Sequence, residues 1–157
     1  MAYPAADHLE ILNVLHRYTF AIDGKDVPGV RNSFHPDAKI RLINEYTLEE
    51  YCSGIPKIIE KMRTVHMIGN EVVDVDGDRA KAKSYVYAYH SVPPNLNDPG
   101  ADAIFGAVKV KTDSLILGRY EDTLERRNGV WKIAYKDINL IWQQHLPTLP
   151  PFPGWPS

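Results

Sequence analysis

The sequence contains very little cysteine and no long apolar run. Cys52 is the only cysteine among 157 residues, which excludes an intrachain disulfide and the ligand spacing of a thiolate metal site. No uncharged apolar run approaches the ~18 residues that a transmembrane helix needs. The first residues also lack the basic and apolar regions of a secretion signal. We therefore expect a soluble protein of the reducing cytoplasm.

A strong charge of either sign is also missing. The formal net charge is -2, and no basic stripe that would indicate a nucleic-acid partner runs along any predicted element. No phosphate-binding loop or dinucleotide fingerprint occurs, and no metal or organic cofactor is expected. The length suits one domain with a sizeable core. We predict a single domain over residues 1–157, with the proline-rich residues 144–157 as an extended tail.

Helical signals are concentrated in the first part of the chain. Asp7 and Glu10 are spaced as a capping box, as are Thr47 and Glu50. Apolar or aromatic residues at steps of four, three and four predict one buried helix face: Ile11, Leu15, Tyr18 and Ile22. His35, in a turn before proline, is expected at the surface.

Alternating patterns dominate from residue 64 onward. Asp-Gly at 76–77 and Asn-Gly at 128–129 each predict a tight hairpin turn. Residues 93–100 are assigned to a loop, and residues 104–110 to the same loop or a short strand. The predicted strands are 65–75, 79–92, 112–127 and 130–142. Helices followed by these strands predict an α+β fold in which a curved antiparallel sheet wraps around the N-terminal helices as an open cone.

The two faces of strand 79–92 differ in character. One face carries small residues and ends in His90, and such a face leaves room for a closely packed helix or a ligand cavity. The other face carries Tyr85, Tyr87 and Tyr89 beyond a charged segment. We predict that this tyrosine row forms the contact between subunits of a homodimer or homotrimer.

One histidine interrupts the apolar pattern of the segment R-T-V-H-M-I-G-N, residues 63–70. Alternation places His66 on one face with Val72, and Val73 on the other. A buried histidine needs a hydrogen-bond partner, because an unpaired polar group costs roughly 1–3 kcal/mol. Asp23 is a candidate, since a carboxylate at a helix C-terminus is not explained by capping. A satisfied core histidine and a solvated turn aspartate are the alternatives.

The order of these motifs resembles the SnoaL-like branch of the nuclear transport factor two-like superfamily, with scytalone dehydratase-like proteins closest. A helix ending in Asp precedes R-T-x-H-x-I-G, and G-R-Y-x-D precedes a hairpin with N-G-V-W-K-I. The resemblance implies that Asp23 orients His66, that His66 moves a proton during elimination, and that His90 is a second pocket histidine. Tyr18 resembles a tyrosine of bile-acid dehydratases of the same fold.

Several positions depart from the scytalone dehydratase pattern. Ile22 stands where that family has a carbonyl-binding tyrosine, and Leu42 lies near the position of the other one. Gly118 and Tyr120 replace the serine and the asparagine of that family. Scytalone itself is therefore not the expected substrate.

The residues and the resemblance together predict a lyase or isomerase that acts on a small hydrophobic cyclic or aromatic hydroxyketone. With Asp23 holding one ring nitrogen of His66, the other nitrogen can take a proton from carbon next to a carbonyl and deliver it to a leaving hydroxyl. The predicted substrate contacts are Tyr18, His90, Tyr120 and Asp122. Asp122 is alternatively a salt-bridged strand residue. A non-catalytic ligand carrier and an oligomeric interaction module of the same fold remain alternatives.

Overall fold

The computed structural model describes residues 5–147, which form four helices and six strands. The helices are α1 (Ala5–Asp23), α2 (Val27–Asn32), α3 (Leu48–Ile59) and α4 (Pro99–Phe105). The strands are β1 (Phe34–Leu42), β2 (Asn44–Thr47), β3 (Arg63–Asp76), β4 (Arg79–Val92), β5 (Thr112–Arg127) and β6 (Val130–Pro147). Residues 144–147 of the predicted tail therefore belong to β6, and the rest of that tail lies outside the described residues. Within residues 5–147, no helix is long and apolar enough to cross a membrane.

All six strands belong to one curved, unclosed sheet, in the order β2-β1-β6-β5-β4-β3. The predicted α+β architecture is confirmed. One pairing differs from the predicted antiparallel sheet, because β1 runs parallel to β6. These two strands are separated by most of the chain, so no hairpin turn constrains them to run in opposite directions.

Helix α1 lies against the sheet through the predicted face, whose four residues are all buried. Its start differs from the prediction. Asp7 lies inside the first turn, where its Oδ1 accepts hydrogen bonds from Arg126 Nη1 at 2.6 Å and Trp131 Nε1 at 3.1 Å. Asp7 thus fastens the helix to the β5–β6 hairpin, and the predicted capping box with Glu10 is wrong.

The start of α3 matches its predicted capping box. Thr47 Oγ1 accepts a hydrogen bond from the backbone N–H of Glu50, and Glu50 Oε2 accepts one from the backbone N–H of Thr47. His35 is buried, contrary to prediction, and its Nε2 lies 2.9 Å from the carbonyl oxygen of Glu125. Pairing of the imidazole with this backbone carbonyl offsets the cost of its burial.

Two bulges reverse the predicted faces of the sheet. The register of β3 and β4 shifts between Gly69 and Val72, so Val73 is 2% exposed and Val72 is 57% exposed, opposite to the prediction. A second shift lies between β5 and β6 near Leu124, and it turns Lys136 into the core. A one-residue bulge moves every later side chain to the other face, which alternation alone does not reveal.

Residues 99–105 form a helix, so the prediction of a loop or strand is wrong for residues 99–100 and 104–105. Asp98 caps α4 by accepting a hydrogen bond from the backbone N–H of Ala101 at 2.9 Å. Ala101 and Phe105 lie one turn apart and are both buried. Two turns are too short to show a helical period, although Asp98 followed by Pro99 is itself a helix-start signal.

Candidate active site

Asp23 and His66 are in direct contact at the end of α1. Asp23 Oδ1 lies 2.7 Å from His66 Nδ1, and Asp23 Oδ2 accepts a hydrogen bond from the backbone N–H of His66, also at 2.7 Å. The backbone bond fixes β3 against the helix end, so the ring meets the carboxylate. An ionised carboxylate only accepts, so Nδ1 carries the hydrogen and Nε2 is the nitrogen that can take a proton.

Two further residues extend this contact. Thr64 Oγ1 donates to Asp23 Oδ1 at 2.8 Å and accepts from Lys25 Nζ at 2.8 Å. Burial alone raises the pKa of Asp23, but hydrogen bonds from His66 and Thr64 outweigh burial and hold that pKa below its ordinary value. Asp23 is therefore a carboxylate at neutral pH. The spacing T-x-H places Thr64 on the same face as His66, a signal that the sequence contains and that went unused.

His90 lies beside His66 on the neighbouring strand. Their ring centroids are 5.0 Å apart in an edge-to-face arrangement, and the ring centroid of Phe105 of α4 lies 4.9 Å from that of His90. His90 Nδ1 is buried and has no hydrogen-bond partner among the described residues. Burial, together with the neighbouring His66, lowers the pKa of His90 to about 3. His90 is thus a neutral imidazole at physiological pH.

A cavity of about 70 Å³ opens beside the two histidines. Its walls come from α1, α3, α4 and the inner face of the sheet, and apolar residues such as Ile22, Ile59 and Phe105 make up most of the lining. Four of the predicted site residues line it: Tyr18, His66, His90 and Tyr120. Asp23 lies behind His66 and does not line the cavity.

A pair of phenols also lines this cavity. Tyr18 Oη and Tyr51 Oη are 2.6 Å apart, and Phe34 packs against both rings, at 5.4 Å from Tyr18 and 6.4 Å from Tyr51. Burial raises the pKa of each phenol, so both hydroxyls keep their hydrogen. Tyr51 was not predicted, because nothing in the helical pattern of α3 distinguishes it from an ordinary core residue.

A model of the SnoaL-like domain matches residues 4–137. The chain belongs to the SnoaL-like family. No curated protein is similar enough in sequence to supply a relative.

Solved structures share the fold along nearly the whole SnoaL-like chain. A scytalone dehydratase-like protein from Novosphingobium aromaticivorans is 19% identical, with a TM-score of 0.72 over 98% of this chain and 97% of its own. Hexachlorocyclohexane dehydrochlorinase LinA-type3 from Novosphingobium barchaimii is 17% identical, with a TM-score of 0.74 over 94% and 97%. A protein with a cystatin-like fold from Nostoc punctiforme is 19% identical, with a TM-score of 0.67 over 90% and 96%. At these identities the likeness shows the fold alone.

The SnoaL-like domain holds a buried ion pair behind its phenols. Lys136 Nζ lies 3.0 and 3.1 Å from the two carboxylate oxygens of Asp122, and both side chains are almost completely inaccessible. The same Nζ lies 3.8 Å from the ring centroid of Tyr120 and 4.5 Å from that of Tyr18. Burial raises the pKa of Asp122 and lowers that of Lys136, and in each case the partner opposes the shift.

Asp122 does not line the cavity. It lies two residues deeper on β5 than Tyr120, where Lys136 binds both of its oxygens. The structure therefore places it as the salt-bridged strand residue and not as a substrate contact. Lys136 escaped prediction because the bulge in β6 inverts the faces. Among residues 5–147, no group of three or more His, Cys, Asp or Glu side chains is arranged to hold a metal ion.

Proposed function

We propose that this SnoaL-like protein is a cofactor-independent lyase of the dehydratase type, acting on a small, neutral, cyclic hydroxyketone. The observation that carries the proposal is the 2.7 Å contact between Asp23 Oδ1 and His66 Nδ1 at the wall of an apolar cavity. The dehydratase-like and dehydrochlorinase structures of the same fold support it, because both names denote eliminations. In this proposal Asp23 is a positioning residue and His66 is the catalytic base.

The proposed reaction uses one imidazole for both proton transfers. His66 Nε2 takes the proton from the carbon next to the carbonyl, and the electron pair of that C–H bond forms an enolate. The enolate then re-forms the carbonyl, the C–O bond to the β-hydroxyl breaks, and the imidazolium gives its proton to the departing oxygen. The products are a conjugated enone and water, and His66 returns to its neutral form. Asp23 stabilises the imidazolium between the two transfers.

The size of the cavity restricts the substrate. Its volume of about 70 Å³ is well below the roughly 150 Å³ of an engineered cavity that takes up benzene. A polycyclic substrate is therefore much larger than this cavity, and even a single ring requires side chains of the wall to move. Ile55 and Ile58 of α3, Ile104 of α4 and the exposed Leu140 of β6 line the cavity and are not fully buried. Their rotamers are therefore less constrained by packing than those of the buried lining residues.

Dehydration of 3-hydroxycyclohexanone tests the proposal directly. The purified protein is expected to accelerate the formation of cyclohex-2-enone above the buffer rate, and the conjugated product is followed by its ultraviolet absorbance. Exchange of the proton next to the carbonyl for deuterium, followed by NMR in deuterated water, reports the first step separately. Binding of the ketone with neither exchange nor elimination would instead establish the ligand-carrier alternative.

We further propose that the chain self-associates through the outer face of its sheet. The register aligns Met67, Tyr87, Leu117 and Trp142 across four adjacent strands, and Met67, Tyr87 and Trp142 are 63%, 45% and 46% exposed. Tyr85, which is 48% exposed, and the half-buried Tyr89 adjoin this row. A contiguous apolar row of this kind is typical of a protein interface.

Light scattering is expected to find a homodimer or homotrimer. Tyr87→Glu should convert it to monomer, because the substitution places a charge in the centre of the apolar row, whereas Arg17→Glu on the exposed side of α1 should leave the assembly intact. A monomeric parent protein would contradict the proposed self-association.

A further inference from the structure

The hydroxyl pair of Tyr18 and Tyr51 has an unused hydrogen. Two phenols carry two hydroxyl hydrogens, and the 2.6 Å contact between their oxygens uses one of them. No other hydrogen bond joins either oxygen to the described residues. The pair therefore presents one free donor, and that donor is strengthened because its own oxygen accepts the hydrogen bond from the other hydroxyl.

The donor is held rigidly in an apolar setting. Phe34 contacts both rings, and Lys136 Nζ lies 4.5 Å from the ring centroid of Tyr18. Lys136 is itself bonded to both oxygens of Asp122, so its charge is balanced and it is not available to bind an anion. A donor fixed in place before the ligand arrives does not lose side-chain entropy on binding.

The lining of the cavity selects against anions. Among the described residues, its lining contains no Lys, Arg, Asp or Glu, and its polar groups are imidazoles and phenols. Of these, His90 is neutral, for the reason given above. A carboxylate would lose its hydration here without gaining a cationic partner, which is costly in an apolar site.

We propose that the Tyr18–Tyr51 hydroxyl pair binds the carbonyl oxygen of the substrate, so that the cavity accepts uncharged ketones and rejects carboxylates. This assignment rests on the proposed function and adds the group that faces the developing enolate. Tyr18 precedes Asp23 by five residues on α1, which is about 7.5 Å along a helix. The hydroxyl pair and the Asp23–His66 contact therefore belong to different turns of α1, and the pair and His66 line the same cavity.

Three probes of nearly the same shape test the assignment: cyclohexanone, methylenecyclohexane and cyclohexanecarboxylate. Ligand-observed NMR titration is expected to show cyclohexanone binding about tenfold more tightly than methylenecyclohexane, the value of one net hydrogen bond. Cyclohexanecarboxylate is expected to bind more weakly than either. The double variant Tyr18→Phe with Tyr51→Phe should abolish the preference for the ketone without changing the affinity for methylenecyclohexane, because it removes both hydroxyls. Tyr51→Phe alone, like Tyr18→Phe alone, leaves one hydroxyl with its hydrogen free and should weaken the preference, because the donor is no longer strengthened by a second hydroxyl. Tyr135→Phe, a phenol that does not line the cavity, should retain the preference.

Equal affinity for the ketone and the hydrocarbon would overturn the assignment, as would a full ketone preference in the double variant, tight binding of the carboxylate, or no binding of cyclohexanone at millimolar concentration. Its failure is distinguishable from failure of the proposed lyase. Deuterium exchange into cyclohexanone that depends on His66 but is unchanged in the double variant without both hydroxyls would overturn only the carbonyl site. A ketone preference that depends on Tyr51, without any exchange or elimination, would overturn only the lyase.

Discussion

Replacement of His66 by alanine is expected to lower kcat for the dehydration of 3-hydroxycyclohexanone by about 10³-fold, within the range that a positioned general base contributes. The variant loses the ring but keeps its backbone N–H, which donates to Asp23 Oδ2 in the parent protein. Helix α1 and strand β3 therefore stay connected, and the fold is expected to survive. Turnover is measured by the absorbance of the enone, and folding by circular dichroism and thermal unfolding of the same samples.

Asp23→Asn separates the charge of the dyad from its shape. The carboxylate accepts from Thr64 Oγ1, from the backbone N–H of His66 and from His66 Nδ1. An amide has one oxygen and one NH₂ group, so at least one of these three donors then faces another donor. The expected loss is about 10²-fold in kcat, smaller than for His66→Ala because the base itself remains.

Asp26→Asn is the matched control for this charge. Asp26 lies three residues from Asp23 and caps α2 by accepting from the backbone N–H of Gly29 at 3.0 Å. Asparagine caps a helix about as well as aspartate, so this variant should fold and turn over normally.

Near-normal turnover in His66→Ala would exclude the dyad mechanism, whatever the Asp23 variant does.

The Asp23–His66 contact was predictable because it depends on local rules that act independently. A buried histidine requires a partner, and an aspartate at a helix C-terminus lacks a capping role. Each rule marks one residue from its own surroundings in the sequence. The two strands on either side of the Asn-Gly turn were predictable for a similar reason, since that dipeptide fixes both the turn and the pairing that follows.

The parts that escaped prediction depend on pairings between distant residues. Val72 and Val73 exchange faces because β3 bulges against β4, and alternation within β3 contains no record of the bulge. Tyr51 meets Tyr18 across 33 positions of the chain. Strict alternation from Trp131 and Ile133 would place Lys136 on the opposite face, but the bulge between β5 and β6 lies just before it. Sequence periodicity describes one strand at a time, whereas a bulge is a property of two.

Lys136→Met is expected to destabilise the protein more than any other single change considered above. Methionine keeps most of the volume but leaves Asp122 buried without a partner, and breaking a buried pair in this way typically costs about 3–5 kcal/mol. The cation–π contacts of Lys136 with the rings of Tyr18 and Tyr120 are lost as well. The free energy of unfolding in urea measures the effect, with the midpoint expected to fall at an unchanged slope.

The double variant Lys136→Met with Asp122→Leu decides whether the pair serves stability. Removing both charges removes both desolvation costs, and such replacements are often neutral or stabilising, so the double variant is expected to recover most of the loss. Arg31→Met breaks the exposed pair with Glu49 and should change the unfolding free energy little. A Lys136→Met variant as stable as Arg31→Met would contradict the buried-pair argument. The double variant also tests the role of Lys136 in binding. If it folds stably but no longer prefers cyclohexanone to methylenecyclohexane, then the Lys136 cation next to the Tyr18 ring contributes to binding the carbonyl.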